Sequence, residues 1–135
     1  MRERLRTARQ ALSRFDEALG EPKTPMNRDA CIQRFEFTCE TAWKAAQSFP
    51  GLVENIEAAS PSRVLRAGFQ TGVLSEEQAR EGLRMSRDRN LTVRTCNEQP
   101  AEEIYASLPR YAALIGAWLD AVASRLPRSP AASLR

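Results

Sequence analysis

Residues 27–49, NRDACIQRFEFTCETAWKAAQSF, decide the fold. Ile32, Phe35, Cys39, Ala42, Ala46 and Phe49 recur at alternating intervals of three and four, which lines apolar side chains along one side of an α-helix. Asn27 reads as the N-cap, and Asp29 falls in the first turn, where a carboxylate suits the positive end of the helix dipole. Pro50-Gly51 stops the helix.

The same seam recurs on either side. Leu5, Ala8, Leu12, Phe15 and Leu19 form a first helix that Gly20 and Pro22 end. Ser60-Pro61 opens a short helix carrying Val64, Leu65, Gly68 and Phe69, which Gly72 closes. Ser75-Glu76-Glu77-Gln78 is a capping box for another helix, thinly apolar at Ala79 and Leu83, whose pattern blurs over Arg89–Asn97. The last helix begins between Asn97 and Pro100, has Glu102 and Glu103 in its first turns, and carries Ile104, Leu108, Tyr111, Ile115, Trp118 and Val122. Pro109 inside it predicts a kink or a split. Helices with narrow seams and short connections predict an all-α, antiparallel four-helix-type bundle with one additional short helix. It occupies residues 1–126, and the Pro/Ser/Ala-rich stretch 127–135 reads as a flexible tail.

A chain of 135 residues buries roughly two-thirds of its unfolded surface and needs neither metal nor disulfide to hold a core. Cys31 and Cys39 lie two turns apart on one helix, about 12 Å, too far to bridge. With Cys96 left over, three unpaired thiols suit a reducing cytoplasm. The sequence has no histidine, which removes the commonest general base and the commonest metal ligand. No metal site and no cofactor are expected. The charged start Met1-Arg-Glu-Arg-Leu-Arg is no signal peptide, and the longest apolar run, Ala112 to Leu119, is too short to span a bilayer. All but two of the 20 basic residues are arginines, a group suited to carboxylates and phosphates, although a GC-rich genome supplies arginine by default.

Two aromatics do not fit the seam. Phe37 lies about 200° around the helix from Phe35, and Trp43 is likewise off the line, so one core cannot hold them all. They form a candidate dimer or partner interface; the alternative is a cover supplied within the monomer. Glu36, Glu40 and Lys44 make a polar stripe at intervals of four, either a binding surface or a solvated face. Arg80, Arg84 and Arg87 share a helix side and form a candidate phosphate-facing strip. Arg89-Asn90 sits where the helix pattern fades and can point into a cleft or cap the helix.

Three stretches together carry a resemblance. They are Arg28 to Lys44 (RDACIQRFEFTCETAWK), Ser60 to Leu74 (SPSRVLRAGFQTGVL) and Asp88 to Glu98 (DRNLTVRTCNE). In this order and spacing the chain resembles the nucleotidyltransferase substrate-binding protein family, a branch of the HEPN superfamily. The resemblance implies a homodimer that binds a separately encoded minimal nucleotidyltransferase (MNT), with RNA or a nucleotide as a further partner and no membrane. It also implies that relatives in toxin–antitoxin pairs are RNases using an Arg-x4–6-His motif at the dimer cleft, silenced by nucleotide transfer to a nearby tyrosine. Arg89 and Asn90 match the catalytic motif, but Arg94 stands at its histidine position and Cys96 at its tyrosine position. Arginine remains protonated, so Arg94 cannot take the proton of a ribose hydroxyl, although it can grip a phosphate. By the same matching, Glu36, Glu40 and Lys44 line the cleft as substrate- or phosphate-binding residues. The expectation is a non-catalytic substrate-binding companion subunit, the alternative an RNase toxin or its degenerate derivative.

Overall fold

The computed structural model describes residues 2–47, 61–94 and 98–124. Among these residues there are five helices and no strand: α1 (Arg2–Leu19), α2 (Pro25–Gln47), α3 (Pro61–Gln70), α4 (Glu76–Arg94) and α5 (Glu98–Ser124). None is long and apolar enough to cross a membrane. Helices α1, α2, α4 and α5 make the bundle, and α3 is the additional short helix, packed on α4 and α2.

Pairs of named residues fix the relative directions. Arg4 near the start of α1 donates to the carbonyl of Lys44 near the end of α2 at 3.2 Å, so these helices run antiparallel. Arg9 meets Asp120 at 3.0 Å, and α1 is antiparallel to α5 as well. The seams meet in the middle. Phe35 stacks on Tyr111 with ring centroids 5.5 Å apart and leans on Phe15 at 6.1 Å. Trp118, Tyr111, Phe15, Phe35, Leu65 and Leu108 are the largest fully buried side chains, each contributing about 1.5–3 kcal/mol of apolar burial. Thr38 is buried too. Its hydroxyl reaches the Ala11 carbonyl on α1 at 3.2 Å and the Arg34 carbonyl at 2.6 Å, so nothing polar is stranded there.

The helix ends show how the sequence sets the boundaries. The capping box is formed: Ser75 N–H donates to Gln78 Oε1 at 2.9 Å, and Gln78 N–H donates to Ser75 Oγ at 3.1 Å. Gly72 adopts φ 81°, the left-handed conformation that turns the chain after α3. Gly82 of α4 faces Leu65 of α3, and a Cβ there would lie 2.5 Å from the Leu65 Cδ2 methyl. The missing side chain is what lets α3 pack this closely.

Three boundary expectations are corrected. Thr24, not Asn27, caps α2: its hydroxyl accepts from Asn27 N–H at 3.0 Å, and Pro25 takes the first helical position, where its missing N–H costs nothing. Asn27 instead turns its amide back to the Ala18 carbonyl at 3.2 Å and closes the end of α1. Helix α4 does not fade at Arg89 but continues to Arg94. Helix α5 is not split at Pro109; one exposed proline removes one backbone hydrogen bond from a helix of 27 residues without ending it. Phe49, Pro50, Gly51, Ser60, Cys96, Asn97 and the 127–135 tail lie outside the described residues.

Candidate functional site

The polar residues singled out on α2 and α4 meet where the two helices pack. Adjacent residues of α4 are held by different neighbours. Asp88 accepts the Tyr111 hydroxyl of α5 at 2.5 Å, while Arg89 reaches Glu40 of α2 at 3.4 Å. A step of one residue turns about 100° around a helix, so these two contacts set the rotation of α4 between its partners. The polar character that blurred the pattern on α4 is therefore a polar seam.

Glu40 is the centre of the cluster. Besides Arg89, it accepts the Trp43 indole N–H at 2.9 Å and pairs with Lys44 at 3.3 Å. Burial pushes its carboxyl up, but the hydrogen bonds of Trp43 and Lys44 and the charges of Lys44 and Arg89 outweigh this, leaving it below the ordinary carboxylate range. Glu36 is half-buried one turn earlier on α2. Beneath the cluster lies Cys39, whose thiol is pushed far up by burial, with Arg89 opposing and Glu40 and Glu36 adding to the shift. Such a thiol is not a nucleophile at neutral pH. Burial likewise raises Tyr111, and the Asp88 hydrogen bond and charge add to it.

Under the Arg89–Glu40 pair is a crevice of about 10 Å³, enough for the centre of one water molecule. Cys39, Trp43, Leu65, Met85 and Trp118 form its mainly apolar wall, and Ser86 and Arg89 also line it.

The sequence-derived candidates separate as follows. Arg89, Glu40, Lys44 and Trp43 come together, with Glu36 alongside. Trp43 is half-buried against the core, and its indole is taken up by Glu40. Phe37 stays 59% exposed. Asn90 is exposed on α4; Arg94 ends that helix, its side chain outside the described set, as is Cys96. In the arginine strip, Arg80 is paired with Glu76 at 2.6 Å and Arg84 with Glu81 at 2.7 Å, which removes much of its positive field; Arg87 is exposed. Among the described residues no group of His, Cys, Asp or Glu is arranged to hold a metal. The sequence reading missed the Tyr111–Asp88 bond and the crevice residues Met85 and Ser86. The hydroxyl on a seam residue was the available signal for the first; the crevice had none, because it depends on how four helices meet.

Chemically, the cluster offers a fixed guanidinium and an ammonium beside a carboxylate already occupied by both. It can bind an anion or a polar group. Glu40 is engaged by three donors, which makes it a poor general base.

The chain is similar to known proteins in both sequence and structure. The family model for proteins described as nucleotidyltransferase substrate binding protein like matches residues 3–124. The crystal structure of a protein from Thermus thermophilus superposes with a TM-score of 0.79 at 43% identity, covering 85% of this chain and 98% of that one. No curated protein matches.

Proposed function

Given that the chain belongs to the nucleotidyltransferase substrate binding protein like family, we propose that it is the non-catalytic companion of a separately encoded minimal nucleotidyltransferase and acts as a homodimer. One observation carries the association half of this reading. Helix α2 buries one side in the bundle yet keeps Phe37 59% and Met26 83% exposed on the other. Met26, Gln33, Phe37 and Lys44 fall within about 40° of one another around the axis, a continuous outward strip of mixed apolar and polar character. Large exposed apolar side chains on a helix face suit burial against a second polypeptide.

The companion half rests on chemistry. Arg89 of α4 reaches Glu40 of α2 and Asn90 follows it, exposed on α4. With Glu40 paired to three donors and no histidine in the sequence, the cluster is suited to holding a phosphate-bearing substrate rather than to cleaving one. Co-expression with a cognate minimal nucleotidyltransferase tests the reading. The two chains are expected to co-purify at micromolar concentration, and RNA incubated with the pure protein is expected to remain intact. RNA cleavage that disappears in Arg89→Ala would overturn the non-catalytic assignment and favour the RNase reading.

A further inference from the structure

Helix α1 keeps an exposed charged strip on the side that faces neither α2 nor the core. Arg4 reaches α2, whereas Arg9 reaches Asp120 of α5. At about 100° per residue, Arg6, Arg9, Ser13, Asp16 and Glu17 share a sector of about 100° on the α5 side of the helix. All of them are exposed, while Ala8, Ala11 and Phe15 are buried on the other side. Arg9, Ser13, Asp16 and Glu17, with Leu12, line a shallow open groove along the helix. The strip is sorted by sign: its cations lie in the first half of α1 and its acids in the second. Arg6 and Glu17 stand about 16 Å apart along the axis, too far to pair within one chain. Among the described residues neither side chain has a hydrogen bond or an ion pair, and nor does that of Asp16. Partial burial raises the Asp16 carboxyl, and no cation offsets the rise.

We propose that this strip is a contact surface for a second copy of the chain, with the two α1 helices packed antiparallel about a two-fold axis near Leu12. Charge complementarity selects the occupant. A two-fold contact brings residue i against j and j against i. Turned end for end about Leu12, Arg6 faces Glu17 of the second copy and Arg9 faces its Asp16, and each pairing occurs twice. These residues also match in angle around the axis, Arg6 with Glu17 and Arg9 with Asp16, to within about 20°. A parallel arrangement would set Arg6 against Arg6. The contact is weak. A helix of 18 residues is about 27 Å long and about 10 Å wide, a fraction of the roughly 800 Å² per partner in a stable complex. Exposed ion pairs add little each and are screened by salt. The α1 contact therefore forms in concentrated, low-salt solution and joins units already made through the α2 strip. It follows from α1 alone and does not depend on the nucleotidyltransferase reading.

A charge swap provides the test. Sedimentation equilibrium of the full chain carrying Phe37→Ser, at about 0.5 mM protein, reads the association lost between about 0.02 M and about 0.5 M salt, whatever assembly the α2 strip makes. That salt-dependent step is expected in the Phe37→Ser chain. Arg6→Glu and Glu17→Arg, each added alone, are expected to weaken it about tenfold, because each sets like charges opposite one another at two places. Combined, they are expected to restore it, since the pair is rebuilt with its signs exchanged. Circular dichroism checks that every variant keeps its helices. Any of three results would overturn the proposal: no salt-dependent association, single reversals that leave it unchanged, or a double reversal as weak as the singles.

Discussion

The Tyr111 hydroxyl donates to Asp88 Oδ2 at 2.5 Å, and this anchors to α5 the residue that immediately precedes Arg89. Arg89 is thereby turned toward Glu40 on α2 rather than left to rotate into solvent. The Arg89–Glu40 cluster is thus steadied by a contact about 100° around the helix that carries Arg89.

Tyr111→Phe is therefore expected to cost about 1.5–3 kcal/mol in urea unfolding, the range for a hydrogen bond to a charged group. In a cycle with Asp88→Asn the two losses should be less than additive, because both remove one contact. The phenol also sets an alkaline limit. Burial raises its pKa, with Asp88 reinforcing the rise, so the unfolded chain gives up this proton more readily. The stability that it contributes is complete below the unfolded value of 10.0 and declines as pH rises above it, which alkaline denaturation would show.

Glu40 behaves in the opposite sense at acid pH. Its pKa is lowered despite burial because Trp43, Lys44 and Arg89 favour the carboxylate. Its contribution is complete above the unfolded value of 4.5 and is lost as pH falls through the lower folded value. Glu40→Gln should flatten the acid limb of a stability-versus-pH curve and cost about 1 kcal/mol at neutral pH.

Gly82→Ala should destabilise although alanine is the better helix former. The propensity gain is about 1 kcal/mol. Against it stands a Cβ 2.5 Å from a methyl of Leu65, which is itself buried and has little room to yield. Overpacking of this kind costs about 1–3 kcal/mol, so a net loss in thermal unfolding is expected, larger for Gly82→Val.

Cys31 and Cys39 are buried, free, and raised in pKa by burial. Iodoacetamide at pH 8 should leave both unmodified in the folded protein and label both in denaturant, as peptide mass mapping would report.

The bundle could be read from the sequence because seams at three- and four-residue spacing are local: Phe15, Phe35 and Tyr111 were placed inward by periodicity alone, and the structure stacks them. Ser75 and Gln78 were legible for the same reason, since a capping box is written within four residues. Asn27 misled because it has the right chemistry for a cap, while Thr24-Pro25 has the right geometry as well. The end of α4 was obscured because Asp88 and Arg89 satisfy partners on other helices, 23 and 49 residues away in sequence, and periodicity carries no information at that range. The crevice was illegible for a stronger reason. Its existence depends on gaps left when side chains from four helices pack, and no single segment encodes a gap.

Sedimentation velocity of the chain, alone and mixed with a cognate minimal nucleotidyltransferase, tests the central claim most directly. The account predicts a species twice the 15.1 kDa monomer, a heavier complex on mixing, and loss of the self-association in Phe37→Ser, with monomer stability changed by no more than about 0.5 kcal/mol. A 15.1 kDa species at micromolar concentration that the nucleotidyltransferase does not shift would contradict it.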